Sequence, residues 1–167
     1  AFVAKEIARR RRPVYKIWVE GKTPDVVLET TSRKTRRKDT EEKPKLYARL
    51  GVKEYFLFDP HQEYLEPPLQ GYRLAGAGYE LIAARADGSL DSAELGLRLQ
   101  IEGRHLRFVQ LDTGARLLTR GERARFEARA RQREAEARQR EAEARRREAE
   151  ARQREAERAD REAQARL

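Results

Sequence analysis

The 167-residue chain contains no cysteine, no methionine and only two histidines. The lack of cysteine excludes a disulfide framework, a thiolate nucleophile and a cysteine-based zinc site. His61 and His105 alone do not suffice for a histidine-rich metal site. No apolar run approaches the roughly 20 residues that cross a membrane, and the first residues do not follow the order of a signal peptide. We therefore expect a cytoplasmic protein without a membrane anchor.

Charge is abundant and unbalanced: 38 Lys and Arg stand against 29 Asp and Glu, for a formal net charge of +9. This favours an anionic partner such as nucleic acid, although net charge bears on association and not on fold. Two basic runs could hold phosphates or could be solvated loops. The candidate nucleic-acid-binding residues in them are Arg10, Arg11, Arg12, Arg33, Lys34, Arg36, Arg37 and Lys38.

A β-branched segment at residues 25 to 31 predicts a strand that carries Glu29. Side chains alternate along a strand, so Glu29 shares a face with Asp25 and Val27. A carboxylate in such an apolar run is costly unless it is paired or holds a metal. Glu29 is therefore either a satisfied structural group or part of a site.

The next two segments complete a strand–helix–strand unit. Asp39 or Thr40 is expected to cap a helix that carries Lys43, and Glu54 to Phe58 (EYFLF) has the composition of a buried strand. A unit of this length implies two parallel strands joined by a crossover. Glu29 would then lie near the end of the first strand and face the helix with Lys43.

The remaining segments predict simpler structure. Trp18, the single tryptophan, is expected to be a packing anchor. Residues 69 to 118 alternate apolar and polar residues between turn signals and predict antiparallel strands that extend the sheet. Residues 121 to 167 predict a long helix after a capping box at Thr119 to Glu122.

The long helix carries a seven-residue repeat from Glu134 onward, in which alanine is the apolar residue. The two alanines of each repeat lie on opposite flanks of a helix, so they make a poor coiled-coil seam. Each repeat does place Glu four residues before Arg, the favoured order for ion pairs on a helix. We interpret the segment as a charge-paired spacer helix with a weak tendency to self-associate.

The segment from Pro24 to Pro60 resembles the Uma-type restriction endonuclease family, which is abundant in bacteria. The pattern that carries the resemblance is Pro24-Asp25, Glu29, Ser32, Asp39, Lys43, Tyr47, Gly51-Val52, Glu54-Tyr55 and Asp59-Pro60. The combined pattern is specific, whereas any one piece of it is not. The match is close over residues 14 to 68.

The resemblance implies an α/β, restriction-endonuclease-like mixed sheet with a flanking helix. Residues 1–120 would form a partial domain of this kind, with the family core at 14–68 and an antiparallel β extension at 69–118. Residues 121–167 would form the long C-terminal helix. The family's first metal-binding Asp falls just before Ala1, so we expect the sequence to start inside the domain.

The resemblance also implies a site. Glu29 matches the second metal-binding acid, and Lys43 matches the lysine that orients or activates water. Asp25 is the candidate that could replace the missing first acid, and the cofactor would be Mg²⁺ or another divalent cation. Ser32, Asp39, Tyr47 and Tyr55 are assigned structural roles.

Two functions follow. The first is a metal-dependent DNA endonuclease domain with Glu29, Lys43 and Asp25 as catalytic residues, incomplete in this chain. The second is a non-catalytic nucleic-acid-binding or assembly protein that keeps the nuclease fold. Either could form a homo-oligomer through the C-terminal helix or the sheet.

The interpretation of the long helix as a charge-paired spacer can be tested directly. A helix held by internal ion pairs keeps its helicity on dilution, whereas a coiled coil loses it. We expect the circular dichroism of a peptide covering residues 119–167 to be nearly independent of concentration and to weaken with added salt. Helicity that rises steeply with concentration would favour a coiled-coil protein instead.

Overall fold

The computed structural model describes residues 1–8 and 13–164, and side chains as far as Glu155. Arg10, Arg11 and Arg12, which the sequence predicts to bind nucleic acid, lie outside the described residues. The chain divides into two compact units, Ala1–Leu117 and Leu118–Leu167. No helix in the described ranges is both long and apolar enough to cross a membrane.

The first unit contains two sheets and two short helices. Its elements are β1 (Phe2–Val3), α1 (Ile17–Glu20), β2 (Val26–Thr30), a π-helical turn (Lys38–Glu42), α2 (Lys43–Arg49), β3 (Glu54–Phe58), β4 (Leu69–Ala75), β5 (Gly78–Leu81), β6 (Leu90–Ser92), β7 (Leu97–Glu102) and β8 (His105–Gln110). The strands of the larger sheet lie in the order β1-β2-β3-β4-β5, and those of the smaller sheet in the order β6-β7-β8.

The larger sheet is mixed. β2 and β3 are parallel, in a register that runs from Val26 opposite Glu54 to Thr30 opposite Phe58. The pairs β1–β2, β3–β4 and β4–β5 are antiparallel. The predicted parallel pair and the α/β class with a mixed sheet are therefore confirmed.

β3 is the centre of the core because all five of its residues are buried. On one face, Phe56 and Phe58 pack with Leu90 and Leu99 of the smaller sheet. On the other face, Tyr55 and Leu57 pack under α2, against Tyr47 among others. A strand covered on both faces reads as an unbroken apolar run, which is what EYFLF shows after Glu54.

The region after β3 forms more than a sheet extension. β4 and β5 extend the larger sheet as expected, whereas β6 to β8 form a separate antiparallel layer against its far face. Glu54, fully buried, ties the two layers together. Its carboxylate accepts hydrogen bonds from the Ser92 hydroxyl and from the backbone N–H of Ala93, and it pairs with Arg73.

The helical segment before α2 begins earlier than the sequence suggested, so the expected cap at Asp39 or Thr40 is wrong. The segment starts at a turn in which the Ser32 N–H donates to Thr35 Oγ1. The Thr40 hydroxyl donates backward to the Arg36 carbonyl, and Asp39 is buried within the helical turn. A side chain bonded to a carbonyl one turn back cannot cap the start of a helix.

Trp18 is also placed differently from expectation. It lies on the four-residue helix α1 with 82% of its surface exposed. The packing-anchor interpretation is therefore wrong. The aromatic core is built from tyrosines and phenylalanines of the larger sheet instead.

The second unit contains α3 (Arg120–Gln164). Its capping box forms as predicted: the Thr119 N–H donates to Glu122, and the Glu122 N–H donates to the Thr119 hydroxyl. Five of the expected Glu–Arg pairs lie within 4.0 Å, and their partners are largely exposed. Pairs of this kind stabilise a helix by about 0.2–0.5 kcal/mol each.

Gly71 tests the packing between the two sheets. A Cβ at this position would lie 2.7 Å from the Phe56 ring and 2.9 Å from a Leu90 methyl. We expect Gly71→Ala to reduce the free energy of unfolding by about 1–3 kcal/mol through overpacking, measured by urea denaturation. Gly78→Ala is the matched control, because nothing lies within 4 Å of its added Cβ. Equal effects from the two variants would contradict tight packing at Gly71.

Candidate active site

Glu29 lies near the carboxyl end of β2, on the face that α2 covers. Its side chain is 22% exposed, so solvent reaches the carboxylate. Oε1 accepts a hydrogen bond from the Tyr47 hydroxyl at 3.0 Å. The strand fixes the backbone of Glu29 and the helix fixes the direction of its side chain.

Lys43, the first residue of α2, lies between two carboxylates. Its Nζ is 3.2 Å from Glu29 Oε1 and 2.7 Å from Asp39 Oδ1. Asp39 is 1% exposed, whereas the Lys43 side chain is 29% exposed. The structure thus brings Glu29 and Lys43 together, and it adds Asp39 behind them.

The surroundings set the charge state of this group. Burial alone would lower the pKa of the Lys43 ammonium, but Asp39 and Glu29 outweigh it and hold the pKa above its ordinary value. Burial and the hydrogen bond to Glu29 raise the pKa of the Tyr47 phenol to about 12. Lys43 is therefore a fixed cation, and Tyr47 a fixed hydrogen-bond donor, at neutral pH.

The π-helical turn gives Asp39 its position. The Lys43 N–H bonds to the Lys38 carbonyl five residues back, instead of four. Pro44 follows directly; it has no N–H, and its ring crowds the carbonyl four residues before it. A wider turn before Pro44 relieves that crowding, and π turns of this kind often mark functional sites.

The loop after β3 begins at the same end of the sheet as Glu29, because the carboxyl ends of two parallel strands lie side by side. The buried carboxylate of Asp59 accepts hydrogen bonds from the backbone N–H groups of His61, Glu63, Tyr64 and Leu65 at 2.5–3.1 Å. Burial favours its neutral form, but these donors outweigh burial and lower the pKa of Asp59. The loop is therefore held in one conformation beside the candidate site.

Asp25 lies at the opposite end of β2. Glu29 is four residues further along the chain, a span of about 13 Å in a strand. Its buried carboxylate accepts the Lys5 N–H at 2.7 Å and pairs with Lys53 and Lys22 at 3.1 and 3.4 Å. The structure does not bring Asp25 to Glu29 and Lys43.

The second basic run follows β2, at the end of the strand where Glu29 lies. Arg33, Lys34, Arg36, Arg37 and Lys38 are all exposed. Arg37 pairs with Glu41 at 3.2 Å. Exposed cations on a turn next to a candidate site are suited to contacts with a phosphate backbone.

A divalent cation fits these residues only in part. Mg²⁺ binds carboxylate oxygens and keeps several waters. Tyr47 and Lys43 both approach Oε1 of Glu29, which leaves Oε2 better placed for a cation. Within the described residues, however, no group of three or more His, Asp or Glu side chains could hold a metal ion. The described residues therefore do not form a complete metal centre by themselves.

Asp39 belongs to the pattern seen in the sequence, but it was assigned a structural role, and its contact with Lys43 was not predicted. Its spacing of four from Lys43 was the available signal, since residues four apart on a helix are neighbours. Its burial could not be read from the sequence, because the residues around it are polar and charged.

The fold is an α/β domain with a mixed sheet, in which an acid and a lysine converge at the end of a parallel strand pair. A family model described as Uma2, putative restriction endonuclease, matches residues 1–108. The chain belongs to this family. A comparison with curated proteins found no match.

Amine labelling tests the Glu29–Lys43 pair. A raised pKa leaves less of the reactive free amine at a given pH, so we expect Lys43 to be acetylated more slowly than the exposed Lys45 on the same helix. Glu29→Gln should speed the labelling of Lys43 and leave Lys45 unchanged, as measured by peptide mass spectrometry at pH 8.

Glu41→Gln is the control, because Glu41 is a nearby acid that pairs with Arg37 instead. Equal labelling of Lys43 in the parent and in Glu29→Gln would contradict the pairing.

Proposed function

We propose that this chain forms a metal-dependent DNA endonuclease domain, with Glu29 as a cation ligand and Lys43 as the residue that orients the reacting groups. The approach of the Lys43 ammonium to 3.2 Å from the Glu29 carboxylate, at a solvent-reachable position near the carboxyl end of β2, carries the proposal. Membership of a family whose model is described as putative restriction endonuclease supports it.

The chain's own residues have distinct roles in this proposal. Lys43 offers a fixed positive charge to a phosphate or its attacking water, where developing negative charge needs stabilisation. Tyr47 holds Glu29 in one orientation through its hydrogen bond. A divalent cation, when bound, would polarise the phosphoryl oxygen and lower the pKa of a bound water.

DNA is the proposed substrate. The exposed run from Arg33 to Lys38 would contact the phosphate backbone without reading sequence. Mg²⁺ is the proposed cation and the cytoplasm the proposed location. Self-association through α3 or a sheet edge also remains a proposal.

A non-catalytic nucleic-acid-binding or assembly protein is the second candidate. It is favoured by one observation: the described residues offer no complete metal centre. In this case the basic surface would bind nucleic acid, and the nuclease fold would serve only as a scaffold.

Nicking of supercoiled plasmid separates the two candidates. The gene product, including any coding sequence that precedes Ala1, should nick DNA with Mg²⁺ and not with EDTA. We expect Glu29→Gln and Lys43→Met each to reduce the nicking rate by about 100-fold or more, because each removes a group that acts on the reacting atoms. Glu41→Gln should leave the rate unchanged.

Salt-sensitive DNA binding without nicking would instead support the second candidate. Nicking that survives Glu29→Gln would exclude Glu29 as a ligand. Equal nicking in EDTA would contradict metal dependence.

A further inference from the structure

Asp39 is a buried carboxylate in a place where burial is costly. It is 1% exposed, and neither of its side-chain oxygens receives a well-aligned hydrogen bond within the described part of the chain. Its one close cation there is Lys43, with Nζ 2.7 Å from Oδ1. A buried charge persists only where a partner compensates its lost hydration. The burial of the Asp39 carboxylate therefore depends on its pairing with Lys43.

This pair differs from the ordinary ion pairs of the same chain. On α3, Glu134 and Arg138 have the same four-residue spacing, but they are 63% and 77% exposed. Exposed ion pairs contribute little to stability, because water can solvate both charges when the pair is broken. The Asp39–Lys43 pair is enclosed on the acidic side and open on the side of Glu29, so it directs the ammonium toward Glu29.

The backbone is also built to hold Asp39. Its carbonyl accepts a hydrogen bond from the Tyr55 hydroxyl at 2.9 Å, and Tyr55 lies fully buried on β3. The π-helical turn is therefore anchored to the central strand at the residue whose side chain meets Lys43. Tyr55 of β3 thus fixes the backbone of Asp39, the Asp39 carboxylate pairs with Lys43, and Lys43 also contacts Glu29.

We propose that Asp39 is a positioning residue that holds the Lys43 ammonium beside Glu29. Its burial keeps it from touching substrate, so it acts through Lys43 alone. The inference deepens the proposed function and rests on it for its catalytic meaning, while the coupling of Asp39 to Lys43 can be tested separately.

Side-chain NMR of the full chain provides the first test. The ammonium signal and the Cε mobility of Lys43 are assigned by their loss in Lys43→Met. We expect a protected ammonium signal and restricted Cε motion in the parent protein, and a lost signal with greater motion in Asp39→Asn. Glu41→Gln, which removes a charge from the same turn, should change neither. An unchanged Lys43 in a folded Asp39→Asn variant would overturn the proposal.

A double-mutant cycle on the unfolding midpoint covers the case in which Asp39→Asn folds poorly. Lys43→Met leaves a buried carboxylate without its cation, so adding Asp39→Asn to it should raise the midpoint. In the parent background the same substitution should lower it. Equal shifts in both backgrounds would show that the two residues are independent and would overturn the proposal.

Nicking kinetics link the pair to the reaction. Asp39→Asn should reduce kcat by about 10- to 100-fold with little change in KM, as for residues that orient a catalytic group. It should have no further effect when Lys43 is already replaced. A parent protein that never nicks would refute the proposed function but leave the NMR and stability results to decide the pairing. Full activity in Asp39→Asn would refute the positioning role alone.

Discussion

The parallel pairing of β2 with β3 is the constraint on which the rest of the first unit depends. A parallel pair needs a crossover connection, and here that connection supplies the π-helical turn and α2. The crossover must cover one face of β3, whose residues are all buried. That requirement places Lys43 and Tyr47 over the carboxyl end of β2, where Glu29 lies.

The sequence contained much of this arrangement. EYFLF could be recognised as a central strand because a strand covered on both faces shows an unbroken apolar run. The facing of Glu29 and Lys43 followed from the crossover topology. The smaller sheet could not be separated from the larger one, because alternation shows that strands exist but not which strands they pair with. Trp18 was misplaced for a similar reason: residue type favours burial, but only the tertiary structure decides it.

The site was predictable in part. Glu29 stood out as a carboxylate in an apolar run, and Lys43 through a family pattern. Asp39 looked like a helix cap, because short polar residues before a helix commonly are. It lies instead inside a widened turn ahead of Pro44. Asp25 resembled a ligand by residue type, but three lysine contacts at the far end of β2 account for its burial.

The seven-residue repeat of α3 has a consequence for how this protein can change over generations. Each copy spans about 10.5 Å of helix at a rise of 1.5 Å per residue, and seven residues return to nearly the same side of the helix, about 20° out of phase. Because each of these Glu–Arg pairs lies within a single copy of the repeat, gain or loss of one copy by replication slippage would alter the length in fixed increments. Such a change would keep the Glu–Arg ion pairs and most of the rotational phase of the helix. The length of this segment can therefore vary without other changes to the helix sequence.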